Sequence, residues 1–178
     1  MSPDLPLRPR GYGSFSIYAD ASAQGGRFGS AWGLRVLCHA DDGQLGMAGW
    51  LAGHASTSWK EENAANFNSA QAEAVALARA ALVAMQLPRH CALKLISDSD
   101  AARQVIEARK EHRDTTLRAA VATVAAARTT RLLNIQWTTG HDGNPWNEFC
   151  DSLSENYDQH EVEPLPAYPR NLLSDTPH

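Results

Sequence analysis

Several features that mark other protein classes are missing from this chain of 178 residues. No apolar run approaches the roughly 20 residues that a membrane-spanning helix needs, so no membrane contact is expected. The first ten residues contain no apolar stretch that could serve as a signal peptide. The cysteines, Cys38, Cys91 and Cys150, are odd in number and far apart, with no Cys-x-x-Cys pair. This argues against a disulfide framework and a zinc site, and it predicts a protein of the reducing cytoplasm.

The chain also lacks an excess of positive charge. Lys and Arg number 16 against 20 Asp and Glu, a formal net charge of −4. A general affinity for polyanions is therefore not expected, and any nucleic-acid binding must come from a local site or from metal ions that offset the acids. The hydrophobic content of 43% is ordinary for a globular protein, and the length suits one full-sized domain.

Proline and glycine divide the chain into a domain and two ends. Residues 1–13 are rich in both and are interpreted as a flexible lead-in. Four prolines follow Glu161, which predicts a disordered, proline-rich tail over 161–178. The folded domain is expected to span 14–160, and no internal repeat is visible.

Five segments have the composition of β-strands. The first strand is predicted at 14–20, where apolar and polar residues alternate, and it ends in Asp20 before a small, flexible turn. Three strands in quick succession predict an antiparallel meander, and the last two must be reached by crossover connections. The other four predicted strands are 30–38, 44–51, 92–97 and 132–137.

Helices are predicted between the later strands. An alanine-rich helix over 70–85 places Glu73 in its first turn, where the helix dipole favours a carboxylate. Two shorter helices precede the last strand, and a final helix opens at Trp146 or Asn147. The order predicts an α/β fold with a five-stranded mixed sheet flanked by helices. The predicted N-caps of the first three helices are Ser69, then Ser99 or Asp100, then Asp114 or Thr115.

Four carboxylates lie at comparable places on these elements. Asp20 and Asp98 end strands, Glu73 begins a helix, and Asp151 lies one turn into the last helix. Singly, such acids are more often structural or solvated than catalytic. Together they predict a cluster, and hard divalent cations prefer such oxygen ligands. Two ions about 4 Å apart can activate a water and stabilise the leaving oxygen of a phosphoryl displacement. The predicted cofactor is two Mg²⁺ ions, with Mn²⁺ as a substitute.

Four blocks of sequence carry a family resemblance. They are Tyr-Ala-Asp-Ala-Ser at 18–22, Ser-Ala-Gln-Ala-Glu at 69–73, Ser-Asp-Ser at 97–99, and the block 137–151. The last block is the most specific, because a Trp-x-x-Gly-His-x-Gly loop leads into Asn-Glu-x-x-Asp at the start of a helix. Over roughly residues 14–157 the chain resembles type 1 ribonuclease H.

The resemblance implies a ribonuclease H-like fold and an endoribonuclease that hydrolyses the RNA strand of RNA–DNA hybrids by two-metal-ion cleavage. Its products would carry 5′-phosphate and 3′-hydroxyl ends. Asp20, Glu73, Asp98 and Asp151 would match the metal-binding carboxylates of the family. His141 would match a mobile loop histidine that assists proton transfer or product release, and an imidazole titrates in the suitable pH range.

Contacts to the hybrid duplex are also predicted. RNA is distinguished from DNA through its 2′-hydroxyl, so serine hydroxyls beside the acids are candidates. The family tends to carry asparagine or glutamine before the acid at position 73, and it usually has glycine where this chain has Ala21. The predicted substrate-binding residues are Ser22, Asn68, Ser69 and Ser99. Asn147 and Glu148 are expected to hold the loop against the last helix.

Basic residues between Asp98 and Trp137 are scattered, and scattered charges of this kind usually solvate a surface. The long loop over 52–69, with Trp59 and Lys60, is a second candidate for hybrid contacts. The basic residues in question are Lys110, Arg113, Arg118, Arg128 and Arg131.

Two alternative functions stay open. One is another nuclease on the same fold, either an exonuclease or a DNA-cutting enzyme. The other is a nucleic-acid-binding module that has lost catalysis, although the presence of all four acids argues against it. In each case a monomer is expected.

Overall fold

The computed structural model describes residues 12–22, 31–54, 68–87, 89, 91–108, 113–140 and 143–155. None of the helices in these ranges is long and apolar enough to cross a membrane. The elements in chain order are β1 (Tyr12–Ser22), β2 (Ala31–Ala40), β3 (Leu45–His54), α1 (Ser69–Gln86), β4 (Ala92–Ser97), α2 (Asp100–Glu107), α3 (Thr115–Thr130), β5 (Leu133–Trp137) and α4 (Pro145–Glu155).

The strands form one mixed sheet in the order β3-β2-β1-β4-β5. The first three strands are antiparallel neighbours, whereas β4 lies parallel to β1 and β5 parallel to β4. Parallel neighbours require crossover connections, which α1 and then α2 with α3 supply. The predicted five-stranded mixed sheet flanked by helices is confirmed.

The first strand is longer at both ends than the alternation predicted. It begins at Tyr12, inside the predicted lead-in, and it continues past Asp20 because Ser22 still pairs with Ala31 of β2. The prediction that Asp20 ends its strand is therefore wrong. The rest of the lead-in, the 161–178 tail and most of the 52–69 loop lie outside the described residues.

One face of the sheet packs against α1. Phe15, Ile17 and Leu77 are fully buried there, together with the alternating apolar residues of β2. The alanines of α1 leave room for α3 to pack closely on its other side, where Ala74 contacts the cluster that includes Ala120. Burial of apolar surface on both sides of α1 stabilises this two-layer arrangement.

The N-terminus of α1 is capped by Asn68, not by Ser69 as predicted. The Asn68 Oδ1 accepts from the Gln71 backbone N–H at 2.9 Å, and the Gln71 Oε1 accepts from the Asn68 N–H at 2.9 Å. This reciprocal pair is a capping box, which the glutamine makes possible. The helix begins at Ser69, and its first turn contains no acid. The helix dipole therefore does not account for the position of Glu73.

The other two predicted caps are confirmed. The Ser99 Oγ accepts from the Ala102 N–H at 3.0 Å and begins α2. The Asp114 Oδ1 accepts from the Leu117 N–H at 2.8 Å and begins α3. The second Asp114 oxygen accepts from the Gln71 side chain at 2.8 Å, which ties the N-termini of α1 and α3 together.

The opposite face of the sheet carries α4. A Cβ on Gly33 would lie 2.6 Å from the Cys150 carbonyl oxygen and 2.8 Å from the Leu153 Cβ, so only glycine permits this close approach. The helix is further held by Arg35, whose guanidinium lies 5.2 Å from the Trp146 ring centroid and 4.5 Å from that of Phe149. Gly33 and Arg35 share a face of β2 because side chains alternate along a strand.

Arg131 contradicts the expectation that the basic residues between Asp98 and Trp137 solvate a surface. Its side chain is 8% exposed. The Arg131 Nη1 donates to the carbonyl oxygens of Ala84 at 3.0 Å and Leu87 at 2.6 Å. Helix ends leave such carbonyl groups without intrahelical partners, so Arg131 satisfies the C-terminus of α1. Arg113, Arg118 and Arg128 are exposed, as expected.

Candidate active site

Asp20 lies within β1, directly opposite Gly33 of β2. Its side chain is 7% exposed, and its Oδ1 accepts from the Ala21 backbone N–H at 2.7 Å. Burial, followed by the negative charges of Asp98 and Asp151, raises the pKa of Asp20 to about 7, although the Ala21 hydrogen bond opposes this shift. The two charges act on Asp20 from other elements, since Asp98 follows β4 and Asp151 lies on α4.

Glu73 reaches the same place from α1. Its side chain is 9% exposed. Burial raises the pKa of Glu73 to about 9, with further contributions from Asp20, from Asp98 and from a hydrogen bond with the Asp20 carboxyl. The pKa values of both carboxyls are thus raised, first by burial and then by neighbouring acids. The Glu73 Oε2 is buried without a hydrogen-bond partner, and a buried polar atom in that state favours a ligand that would satisfy it.

Asp98 follows the last residue of β4 and is oriented by Asn147 of α4. The Asn147 Nδ2 donates to the Asp98 Oδ2 at 2.7 Å. A Cβ on Gly140 would lie 3.0 Å from that same oxygen, so the loop after β5 passes close to the carboxylate. Asn147 was expected to hold this loop, but the observed bond joins α4 to β4 instead. Its Oδ1 is buried and has no partner.

Asp151 lies on α4 in a half-buried position, four residues after Asn147. Residues at this spacing share one helix face, so the signal for Asn147 was present in the sequence. The neighbouring Cys150 is fully buried, and its Sγ–H donates to the Tyr18 carbonyl oxygen at 3.5 Å. This contact on β1, with the close approach at Gly33, carries Asp151 toward Asp20.

Asp20 of β1 is therefore influenced by all three other acids, which come from α1, from the residue after β4 and from α4. Within the described ranges, no lysine or arginine forms an ion pair with any of them. In the same ranges, no three His, Cys, Asp or Glu side chains converge closely enough to hold one ion together. Their role as metal ligands stays a prediction, and the side chains would have to rotate onto an ion.

The predicted substrate-binding residues lie beside the acids in the chain. Ser22 is the last residue of β1, Ser69 is the first residue of α1, and Ser99 caps α2. Asn68 uses its side-chain oxygen in the capping box, which leaves its amide N–H₂ to face a ligand. Their contacts with substrate stay predictions. His141 lies outside the described residues.

A second, larger groove lies along the sheet and has a volume of about 840 Å³. Its lining includes Ser16, His39, Lys94 and Gln136, but none of the four acids. The His39 Nε2 and Ser16 Oγ are hydrogen-bonded at 3.0 Å. With no carboxylate in its lining, this groove does not offer the ligands of a divalent metal.

The sequence matches a known protein family over most of its length. The family model described as RNase H matches residues 13–158. No curated protein matches the chain significantly.

Solved structures share the fold at low sequence identity. RNase H1 from the halophilic archaeon Halobacterium salinarum NRC-1 is 18% identical, with a TM-score of 0.58 over 83% of this chain and 100% of that chain. LC11-RNase H1, solved in complex with an RNA/DNA hybrid, is 15% identical, with a TM-score of 0.54 over 81% of this chain and 99% of that chain. The N-terminal RNase H domain of Rv2228c from Mycobacterium tuberculosis, solved as a fusion with maltose binding protein, is 16% identical, with a TM-score of 0.53 over 80% of this chain and 91% of that chain.

At these identities the structural likeness confirms the RNase H-like fold. The family match extends over most of the chain and includes all four acids. The chain belongs to the RNase H family.

Proposed function

We propose that this chain hydrolyses the RNA strand of RNA–DNA hybrids and leaves 5′-phosphate and 3′-hydroxyl ends. Family membership supports RNase H activity. The single observation that carries the proposal further is the acid cluster itself: Asp20 and Glu73 are both buried, the Glu73 Oε2 has no hydrogen-bond partner, and neighbouring acids raise the pKa of each carboxyl.

The composition of this cluster fits divalent metal ions. Its groups offer only oxygen ligands, as Mg²⁺ requires, and no described cation offsets their charge. The unpartnered Glu73 Oε2 is a ligand position that protein groups leave unfilled. We propose that Asp20, Glu73, Asp98 and Asp151 hold two Mg²⁺ ions, with Mn²⁺ as a substitute. When bound, such a pair activates a water and stabilises the leaving oxygen.

The chain's own groups would prepare the site. The Ala21 N–H holds one oxygen of Asp20, and the Asn147 amide holds one oxygen of Asp98. Glu73 must give up its proton before it can act as a ligand, so metal binding and deprotonation are coupled. His141 is proposed to assist proton transfer or product release.

Cleavage of four labelled substrates of one sequence tests the proposal: a hybrid, single-stranded RNA, duplex RNA and duplex DNA, each with Mg²⁺ and with EDTA. We expect cleavage of the hybrid alone, only with metal, and a 5′-phosphate on the downstream product by mass spectrometry. Equal cleavage of duplex DNA would favour another nuclease on this fold. Binding of the hybrid without cleavage would favour the non-catalytic module.

Matched variants test the assignment of the acids. Asp98→Asn removes a charge but keeps the shape of the side chain, and we expect it to lower the rate by several orders of magnitude with an unchanged circular dichroism spectrum. Glu155→Gln makes the same charge change at an exposed position of α4 and should leave the rate unchanged. Near-normal activity of Asp98→Asn would remove Asp98 from the site.

A further inference from the structure

A small pocket opens beside Asp98. Its volume is about 420 Å³, which lies within the range of about 300–1,000 Å³ for ligand sites. Every lining residue bears a hydrogen-bonding side chain, and one of them, Asp98, belongs to the acid cluster. We call it the Asp98 pocket; its lining residues are Asp98, Ser99, Asp100, Arg103, Trp137, Thr138 and Thr139.

Arg103 is the cationic residue among those that line this pocket. It is held in place by Asp100, one helical turn earlier, whose Oδ1 accepts from the Arg103 Nε at 2.9 Å and also from its Nη2. The other Asp100 oxygen accepts from the Gln104 side chain at 2.7 Å. Both oxygens of Asp100 are thus occupied by protein donors, so Asp100 serves to orient the guanidinium.

The Asp98 pocket has further donors at Ser99 and Thr139, whereas the Trp137 Nε1 already donates to the Glu107 Oε1 at 2.9 Å. The Ser99 Oγ already accepts from the Ala102 N–H, which leaves its hydroxyl hydrogen to donate outward. Thr139 is exposed at the rim, and Arg103 retains guanidinium N–H groups that no described residue is seen to bind. Donors of this kind around one oriented guanidinium are the arrangement that recognises a phosphate group.

We infer that the Asp98 pocket binds an RNA-strand phosphate adjacent to the one that is cut, and that Arg103 is its positioning residue. This inference rests on the proposed function, because the phosphate would be fixed relative to the metal ligand Asp98. Arg103 does not touch the reacting atoms; it sets the register of the strand.

The test measures the affinity of the full chain for the hybrid in EDTA, where no cleavage occurs, as a function of NaCl concentration. Each lost phosphate contact reduces the slope of log affinity against log salt by about 1. We expect Arg103→Ala to reduce the slope by about 1 and to weaken binding about 5- to 10-fold near 0.1 M salt. In cleavage assays the same variant should raise KM more than it lowers kcat.

Two further variants separate this role from a general effect of charge. Arg103→Lys keeps the charge and should keep the slope, with part of the affinity lost. Arg128→Ala removes an exposed arginine from the last turn of α3 and should leave both slope and KM unchanged. The inference is overturned if Arg103→Ala has the wild-type slope, or if Arg128→Ala loses as much.

A failure of the proposed function can be distinguished from a failure of this inference. If the wild-type chain neither binds nor cuts hybrids, the function itself is wrong, and the inference falls with it. If the wild-type chain cuts hybrids with an Arg103-independent salt slope and KM, the function stands and only the Asp98 pocket is wrongly assigned. Thermal melting of each variant checks that the fold is unchanged.

Discussion

At the scale of single residues, Glu73 dominates the charge balance of the site. It is almost fully buried, and burial together with the neighbouring charges of Asp20 and Asp98 raises its pKa. A buried carboxyl in such a place is stable only when it is neutral or when a cation compensates its charge. The same residue therefore costs stability in the metal-free protein and would contribute a ligand in the metal-bound protein.

The sign of the resulting pH dependence follows from the raised pKa of Glu73. Its ordinary pKa is 4.5, and the folded value is about 9. Between these values the folded chain retains a proton that the unfolded chain has lost, so the stability contributed by this group falls as the pH rises through that window. Below about pH 4.5 both states hold the proton and the contribution is complete.

We predict that Glu73→Gln stabilises the metal-free protein at pH 8. Glutamine cannot ionise, so the free energy of unfolding in EDTA should rise by at least about 1 kcal/mol at pH 8 and change little at pH 4. Urea unfolding at a series of pH values measures this difference. Glu155→Gln, at an exposed position, should follow the wild-type curve. Parallel curves for Glu73→Gln and the wild type would show that folding does not raise the pKa of Glu73.

At the scale of elements, the site depends on how closely α4 approaches the sheet. Gly33 lies opposite Asp20 on β2 and directly under Cys150 of α4. The residue after Cys150 is Asp151, so the missing side chain at position 33 sets the distance between two of the four acids. The cation–π contacts of Arg35 with Trp146 and Phe149 hold the first turn of the same helix.

We predict that Gly33→Ala impairs activity more than its effect on stability explains. The new Cβ would meet a backbone oxygen at 2.6 Å, which cannot move without α4. Overpacking of this kind costs about 1–3 kcal/mol, and it should also displace Asp151. Guanidinium unfolding and hybrid cleavage, measured on the same preparation, test both effects.

Gly43→Ala is the control for this prediction. Gly43 has a φ of +83° in the turn between β2 and β3, with no atom within 4 Å of an added Cβ. Alanine there should cost about 1–2 kcal/mol through backbone strain alone, without moving α4. We expect full activity from Gly43→Ala at temperatures where it is folded. Equal activities of the two variants would show that the close approach at Gly33 does not determine the geometry of the site.

At the scale of the whole molecule, the net charge of −4 includes four acids that no described cation neutralises. Folding brings these four acids together, whereas in the unfolded chain they are separated along the sequence. A ligand that binds only the folded chain stabilises it by mass action. Divalent metal should therefore act on the stability of the entire domain as well as on the reaction.

We predict that Mg²⁺ raises the Tm of the wild-type chain relative to EDTA. The gain is about 2.7 kcal/mol at 100 times the Kd, and it should be larger at pH 8 than at pH 6 because Asp20 and Glu73 must lose protons to bind the ion. Differential scanning calorimetry measures it. Asp98→Asn should lose most of the gain, while Glu155→Gln should keep it. A Tm that does not respond to Mg²⁺ or Mn²⁺ at either pH would argue against the metal site.

Local signals in the sequence were enough for much of this molecule. The period-2 alternation in β1, the caps at Ser99 and Asp114, and the short spacing of the first three strands each depend on residues close together in the chain. The specific block at 137–151 identified the family. The places assigned to two of the four acids were wrong, since Asp20 does not end its strand and Glu73 lies beyond the first turn of α1, and the metal-binding role of all four stays a prediction. The features predicted correctly are set by backbone geometry and hydrogen bonding within a few residues.

Tertiary structure alone decided the rest. Arg131 is buried because its carbonyl acceptors on α1 lie 44 to 47 residues earlier in the chain. Asn147 orients Asp98, 49 residues away, and Gly33 admits Cys150. The raised pKa values of Asp20 and Glu73 likewise arise from burial and from the charges of acids that are distant in the sequence but close in the fold. Such contacts depend on which surfaces the folded chain brings together. A sequence pattern predicts that a surface exists, but it does not show which distant residues will contact that surface.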